Sequence, residues 1–189
     1  MLPVAATIQR HPERAVPDRA AEILAAGRVA HVGFIDGGRP VVIPFGYQFD
    51  PAVPDRLYLH GTPGGRAIEC LQSGEPVCIT VTLLDGLVYS KTALYHSMNY
   101  RSVVCFGRGS RVTDTAVQHR VYASMVGRYF EGRTAGSDYS IPTPAHLNAT
   151  ALVEIQIEEW SAKMREGGPK GPTDADPDAP GTCGVAPVG

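Results

Sequence analysis

The sequence predicts a mainly β domain of six or seven antiparallel strands, closed into a small barrel with a few helices at its periphery. Three observations carry this. Two Asp-Gly pairs, Asp36-Gly37 and Asp85-Gly86, stand between apolar, β-branched runs, the pattern of tight hairpins. Most connections between strand-like runs are short, and short connections join antiparallel neighbours. Helical segments do not alternate with single strands, so a doubly wound parallel sheet fits poorly. Closure of the sheet removes exposed strand edges.

Each element has a local reason. Residues 17–26 read as a short helix, with Pro17 at its start, Ile23 and Leu24 as apolar positions and Gly27 as its stop. Residues 28–35 form a strand, Asp36-Gly37-Gly38 a hairpin turn, and residues 39–49 one long strand through Val41, Val42 and Ile43. Pro44 within that run marks an edge, a bulge or an opening in the ladder, because proline has no amide hydrogen. Residues 50–55 turn, and residues 56–60 return as a third strand. Residues 64–72 form a short helix with Ile68 and Leu71 on one face and Gly74 past its end. Three strands follow over 77–84, 87–93 and 100–112, the first two joined at Asp85-Gly86. Asp114 caps a helix running to about Tyr129, where Val117, Val121 and Met125 recur at fourfold spacing. Residues 131–148 read as a loop and 150–157 as the last strand. Beyond Trp160 the chain turns to Gly, Pro, Asp and Ala, which cannot bury a core. The expected division is a folded domain over 1–165 and a flexible Gly/Pro-rich tail over 166–189.

Composition narrows the partners. The chain has 189 residues and a formal net charge of −2, with Lys and Arg scattered along it. No basic excess exists to neutralise phosphates, so nucleic acid is not an expected partner. No apolar run is long enough to span a bilayer, and no polybasic block would hold a membrane surface. Residues 1–19 lack the apolar run of a secretory leader, so a cytoplasmic protein is expected. Cys70, Cys78, Cys105 and Cys183 form no CxxC pair and read as reduced thiols, with Cys78 and Cys105 inside the core. No clustered ligands suggest a metal site.

Residues 57–68 carry the strongest chemical signal. They read as strand, tight turn and helix, a geometry whose free amides converge on an anion. Gly64 and Gly65 let the backbone approach a ligand closely, and Arg66 adds a forked charge-assisted hydrogen bond. The competing reading is an ordinary turn with a surface arginine. His60 stands at the end of the preceding strand, either as a site residue or as a histidine bonded to backbone. Arg101 lies in an apolar run and needs a partner, either a phosphate or a carboxylate such as Glu69 or Glu154. Trp160 reads first as a packing anchor. No Ser-His-Asp arrangement is supported by spacing, and no catalytic acid or base is assigned.

Several segments in order resemble the FMN-binding split β-barrels of the pyridoxamine 5′-phosphate oxidase-like superfamily. They are Ala30-His31-Val32-Gly33-Phe34, the stretch Arg39 to Tyr47, the stretch Leu57 to Arg66, the run His96-Ser97-Met98-Asn99-Tyr100-Arg101-Ser102, and Glu159-Trp160-Ser161-Ala162-Lys163. The branch most similar is that of the flavin-nucleotide-binding proteins that include the nitroimidazole-resistance (Nim) reductases. The resemblance implies a six- to seven-stranded split barrel. It implies that Val41, Val42, Ile43 and Pro44 run along the flavin ring, with His60, Gly61 and Thr62 beside ring and ribityl chain. It implies that Gly64, Gly65 and Arg66 bind the phosphate, with Arg101 and Ser102 as further contacts and Trp160 and Lys163 approaching from a second subunit. Further implications are a homodimer, an FMN cofactor (a deazaflavin, F420, in related barrels), NAD(P)H as electron donor and a small-molecule acceptor. The turn lacks the Ser-Arg-Lys cluster of the true vitamin B6 oxidases, so that activity is not expected. Two other classes fit the fold: a haem-binding or haem-degrading barrel using His60 or His96, and a flavin carrier without turnover.

Overall fold

Alternating burial organises the molecule around two long paired strands, β5 (Pro76–Tyr89) and β6 (Ser97–Arg111). Val77, Ile79 and Val81 of β5 point inward, as do Val103 and Cys105 of β6, while Phe106 and Arg108 face out. The computed structural model describes residue 8 and residues 10–188; residues 1–7 and 9 of the expected domain, and residue 189 of the expected tail, lie outside them.

The sheet runs β2 (Arg39–Phe45), β1 (Ala30–Asp36), β5, β6, β7 (Ala151–Arg165), β4 (Arg56–Gly61), β3 (Tyr47–Phe49), and every pairing is antiparallel. The two end strands, β2 and β3, are joined by Gly46 alone, so the ends of the sheet meet and the fold is a split barrel. Tyr47, Leu57, Leu59, Ile79 and Ile155 fill its interior. Helix α1 (Ala20–Ala26) adds Ile23 and Leu24, and α2 (Arg66–Gln72) adds Ile68 and Leu71. Helix α3 (Thr115–Tyr129) lies on the outside, where Val121 and Met125 pack on Leu152 of β7 and on Tyr58 of β4. Its N-terminus is capped by Asp114, whose Oδ1 accepts from Ala116 N (2.7 Å) and Val117 N (3.1 Å). Arg128, near its end, donates to the Leu24 and Gly27 carbonyls and lies over the Tyr47 ring, tying α3 to the C-terminus of α1.

Several expected boundaries move, each for a physical reason. The Asp36-Gly37-Gly38 hairpin forms, with Gly37 at φ 55° and Gly38 at φ 80°, as a two-residue turn of this kind requires. The single strand expected over 39–49 breaks at Gly46. Beyond it the chain leaves β1 for β4, and the Tyr129 hydroxyl accepts the Tyr47 amide (2.8 Å). Asp85-Gly86 is not a hairpin turn. The chain continues as one strand with a bulge between Leu84 and Gly86, and the bulge swings the Asp85 carboxylate toward Arg101. Gly27 ends α1 without a left-handed residue; a Cβ there would stand 2.3 Å from Val81 and 2.7 Å from the Tyr47 hydroxyl. The expected loop over 131–148 contains a short helix, α4 (Pro144–Asn148), and the last barrel strand extends to Arg165.

The C-terminal segment also differs from the expected flexible tail. Strand β8 (Gly184–Pro187) pairs with Gly86–Tyr89 of β5. Upstream of it, the Asp174 carboxylate accepts from Ser90 Oγ (2.9 Å), Lys91 N (2.8 Å) and Gly171 N (2.5 Å). The two valines of this segment, Val185 and Val188, stay exposed rather than join the core, and the segment satisfies the edge of β5 by backbone pairing.

Candidate functional site

The residues singled out in the sequence fall into three places. The first is the barrel end closed by α2. There β4 finishes at Gly61, Thr62 O accepts the Gly65 amide (3.0 Å), and Gly64 turns the chain at φ 73°. Gly64 has no atom within 4 Å of the position a Cβ would take, so this side of the turn is open. Its N–H donates to Glu69 Oε1 (3.2 Å), so the turn already holds an anionic oxygen. Gly61 is a packing requirement, since a Cβ would meet Ile68 at 2.9 Å. The Arg66 side chain is 63% exposed and its Nε lies 3.4 Å from Asp36 Oδ2 at the end of β1. His60 faces outward, edge-on to the Tyr122 ring at 6.0 Å. The surrounding protein desolvates this imidazole and lowers its pKa below the ordinary histidine value.

The second place is the outer face of β2, β1, β5 and β6. Helix α3 covers the opposite side of the barrel and leaves this one bare. Val42, Gly33, Cys78 and Phe106 stand in register across the four strands. Val42 is 64% exposed, Ile35 61% and Phe106 40%. Pro44 sits on β2, the edge strand, where its missing amide leaves no gap in the β1 ladder that the fold depends on. Val41 and Ile43 alternate with these residues and pack against the core. Cys78, expected inside, belongs to this outer row and is only half-buried. Cys105 is the buried thiol, and desolvation pushes its pKa up to about 12, which keeps it unreactive.

The third place is the far end of the β6–β7 pair. Arg101 forms a two-pronged ion pair with Asp85 (2.6 and 3.0 Å). The guanidinium holds the Asp85 carboxyl below the usual carboxylate range. Its partner within the subunit is therefore neither Glu69, which bonds Gly64 and Gln72, nor Glu154, which accepts from the Tyr58 hydroxyl. Ser102 stands opposite Lys163, and its hydroxyl donates to the Lys163 carbonyl (3.4 Å). Trp160 stands opposite Cys105 and packs against the core, as an anchor does.

The structure does not bring Arg66 and Arg101 together in one subunit. Helix α2, which Arg66 begins, lies against Gly109, where a Cβ would collide with the Leu71 carbonyl. Arg101 is eight residues earlier on β6, or about 26 Å at about 3.3 Å per residue. Of the residues that matter here, Asp85 was hidden in the sequence because Asp-Gly reads as a turn. Phe106 was hidden because an outward apolar residue in a strand looks like a core residue until its register is known.

The profile of the pyridoxamine 5′-phosphate oxidase family matches residues 17–164, from the first turn before α1 to the end of β7. No curated protein matches the chain. Among solved structures, the flavocytochrome Anf3 from Azotobacter vinelandii is 32% identical with a TM-score of 0.82, over 96% of this chain and 82% of that one. The FAD and heme binding protein from Mycobacterium smegmatis is 29% identical with a TM-score of 0.81, over 93% and 84%. A protein assigned to 5-nitroimidazole antibiotic resistance in Bacteroides thetaiotaomicron is 25% identical with a TM-score of 0.63, over 79% and 85%. Residues 1–165 make up about 87% of 189, so the first two matches take in part of the C-terminal segment that carries β8. The profile spans most of the chain, and the chain belongs to the pyridoxamine 5′-phosphate oxidase family of split barrels.

Proposed function

We propose that this chain is a flavin-dependent oxidoreductase that binds FMN, or its adenylylated form FAD, and passes reducing equivalents from NAD(P)H to a small acceptor. The observation that carries the reading is the bare outer face of β2, β1, β5 and β6, next to an open glycine turn with an exposed cation, Arg66. Flat apolar surface suits a planar ring system, and Gly33 keeps the centre of the Val42–Gly33–Cys78–Phe106 row low. The turn fits the phosphate: one amide already bonds a carboxylate oxygen, the space over Gly64 is clear, and Arg66 is free to swing from Asp36 to a stronger anion. When bound, the flavin supplies the electron-transfer chemistry. The protein's residues bind, orient and exclude water, and none is required as an acid or base.

The same face supports a homodimer. Three large apolar side chains lie open on one face of the sheet, and covering them with a second copy removes that surface from water. In such a pair, Arg101, Ser102, Trp160 and Lys163 of one subunit contribute to the flavin site of the other. That resolves their distance from Arg66 within a single chain. No helix among the described residues is long and apolar enough to cross a membrane.

A second reading adds a haem. Two relatives that match beyond the barrel are, by name, a flavocytochrome and an FAD and heme binding protein. Of the two histidines considered as ligands, His60 is the better placed. It has no hydrogen-bond partner among the described residues and sits against the Tyr122 ring, and its lowered pKa keeps the imidazole neutral. His96 lies in an exposed corner near the Ala93 carbonyl (3.1 Å).

Replacing Arg66 with Ala is expected to weaken flavin binding roughly 10-fold, the usual effect of losing a charge-assisted hydrogen bond. Fluorescence titration of FMN and FAD measures it. Unchanged affinity for both would remove the turn from the site.

A further inference from the structure

Strands β5 and β6 outrun their neighbours. β1 leaves β5 at Thr80 and β7 leaves β6 at Tyr100, yet β5 and β6 stay paired beyond, Leu84–Val88 against Ser97–Tyr100. The two faces of this arm differ. On the inner face Val88, Ser90 and Asn99 are buried. The C-terminal segment covers them: Asn99 Nδ2 donates to Gly167 O (3.1 Å), and Ser90 Oγ donates to Asp174 Oδ1 (2.9 Å). Strand β8 then pairs along the free edge of the arm. The outer face is open, with Leu84, Leu87, Tyr89 and Met98 exposed by between 38% (Tyr89) and 51% (Met98). It continues the bare face of the barrel. On β6 the outward positions run from Met98 through Tyr100, Ser102 and Val104 to Phe106, and none of them is buried. On β5 they run from Cys78 to Leu84 and, past the bulge, to Leu87 and Tyr89. No charged side chain stands among them. The core of a protein–protein interface excludes charge in this way and favours Met, Tyr and Phe. Area points the same way, since a standard interface covers about 800 Å² of each partner. Ile35, Val42 and Phe106 of the barrel face offer roughly 300 Å², at about 200 Å² for a large side chain fully exposed. The four arm residues roughly double that.

We propose that the arm is half of the homodimer interface: its outer face lies on the partner subunit, and the C-terminal segment is the backing that holds it in shape. The occupant is a second copy of this chain, because arm and barrel face form one continuous uncharged surface that a two-fold pair covers at once. The inference rests on the homodimer proposed above. It adds the arm, and with it the C-terminal segment, to what that dimer needs.

The test uses the full chain, with sedimentation velocity for association and peroxide oxidation of Met98, read by mass spectrometry, for cover. Leu87→Asp with Met98→Asp leaves the barrel face untouched and is expected to weaken association roughly 100-fold, because four carboxylates would be buried unpaired. Asp174→Ala frees the C-terminal segment from Ser90 and Lys91 without altering the outer face. It is expected to weaken association roughly 5-fold. Met98 of the unsubstituted dimer is expected to oxidise at least about 5-fold more slowly than Met98 of the Val42→Arg/Phe106→Arg monomer, a readout that leaves the arm intact. A dimer that survives Leu87→Asp/Met98→Asp, or whose Met98 oxidises as fast as the monomer's, overturns the arm and leaves a dimer on the barrel face standing. Asp174→Ala without effect on association overturns the role of the C-terminal segment. A chain that is monomeric at every concentration overturns the arm and the homodimer together.

Discussion

Replacing Gly109 with alanine is expected to destabilise the fold by about 3 kcal/mol or more, the upper range of overpacking. A Cβ on Gly109 would stand 1.9 Å from the Leu71 carbonyl oxygen and 2.8 Å from Ile155 Cδ1. The nearer atom is backbone, at the last turn of α2, and cannot rotate away. Relief requires α2 to lift off β6, and with it Ile68 and Leu71 leave the core. The same motion displaces the turn that carries Gly64 and Arg66, so flavin affinity is expected to fall with stability. Gly127 on α3 is the control, because a Cβ there meets nothing within 4 Å. Gly127→Ala is expected to stabilise by about 0.5–1 kcal/mol through helix propensity. Urea midpoints of the two variants measure the contrast, and equal midpoints would show that α2 does not pack on β6 as described.

The second large effect is on association. The double substitution Val42→Arg with Phe106→Arg places two charges in the centre of the bare face. Both residues are exposed in the single chain, so the barrel itself is expected to keep its stability within about 0.5 kcal/mol. Burying four unpaired guanidinium groups in a symmetric interface is a different matter, and association is expected to weaken by roughly 100-fold or more. Sedimentation velocity reads the change from dimer to monomer. Flavin retention is expected to fall in parallel, because Val42 and Phe106 also belong to the row proposed to carry the flavin ring. A variant that stays dimeric would move the interface to another face.

Much of this fold is legible in the residues, and the misreadings have specific causes. Asp36-Gly37-Gly38 reads correctly because positive φ at two successive glycines is a local requirement. Asp85-Gly86 carries the same local signal. Its outcome is set by partners distant in sequence: β6 pairs on both sides of it, and β8 covers Gly86. The break at Gly46 depends on the Tyr129 hydroxyl, which accepts from the Tyr47 amide, 82 residues away from it in the chain. The C-terminal segment has no hydrophobic pattern because its order rests on backbone pairing and on one carboxylate, Asp174. At the site, the glycine turn was visible because φ and close approach depend on local sequence. The partner of Arg101 was not, because a bulge decides which carboxylate reaches it.

The most direct measurement is an absorption spectrum of the full chain, taken after purification and again after FMN or FAD is added and the mixture passed through gel filtration. The account predicts visible flavin absorption that travels with the protein at the elution volume of a dimer, and its loss in the Val42→Arg/Phe106→Arg variant. A colourless protein that leaves both flavins in the small-molecule fractions would contradict it.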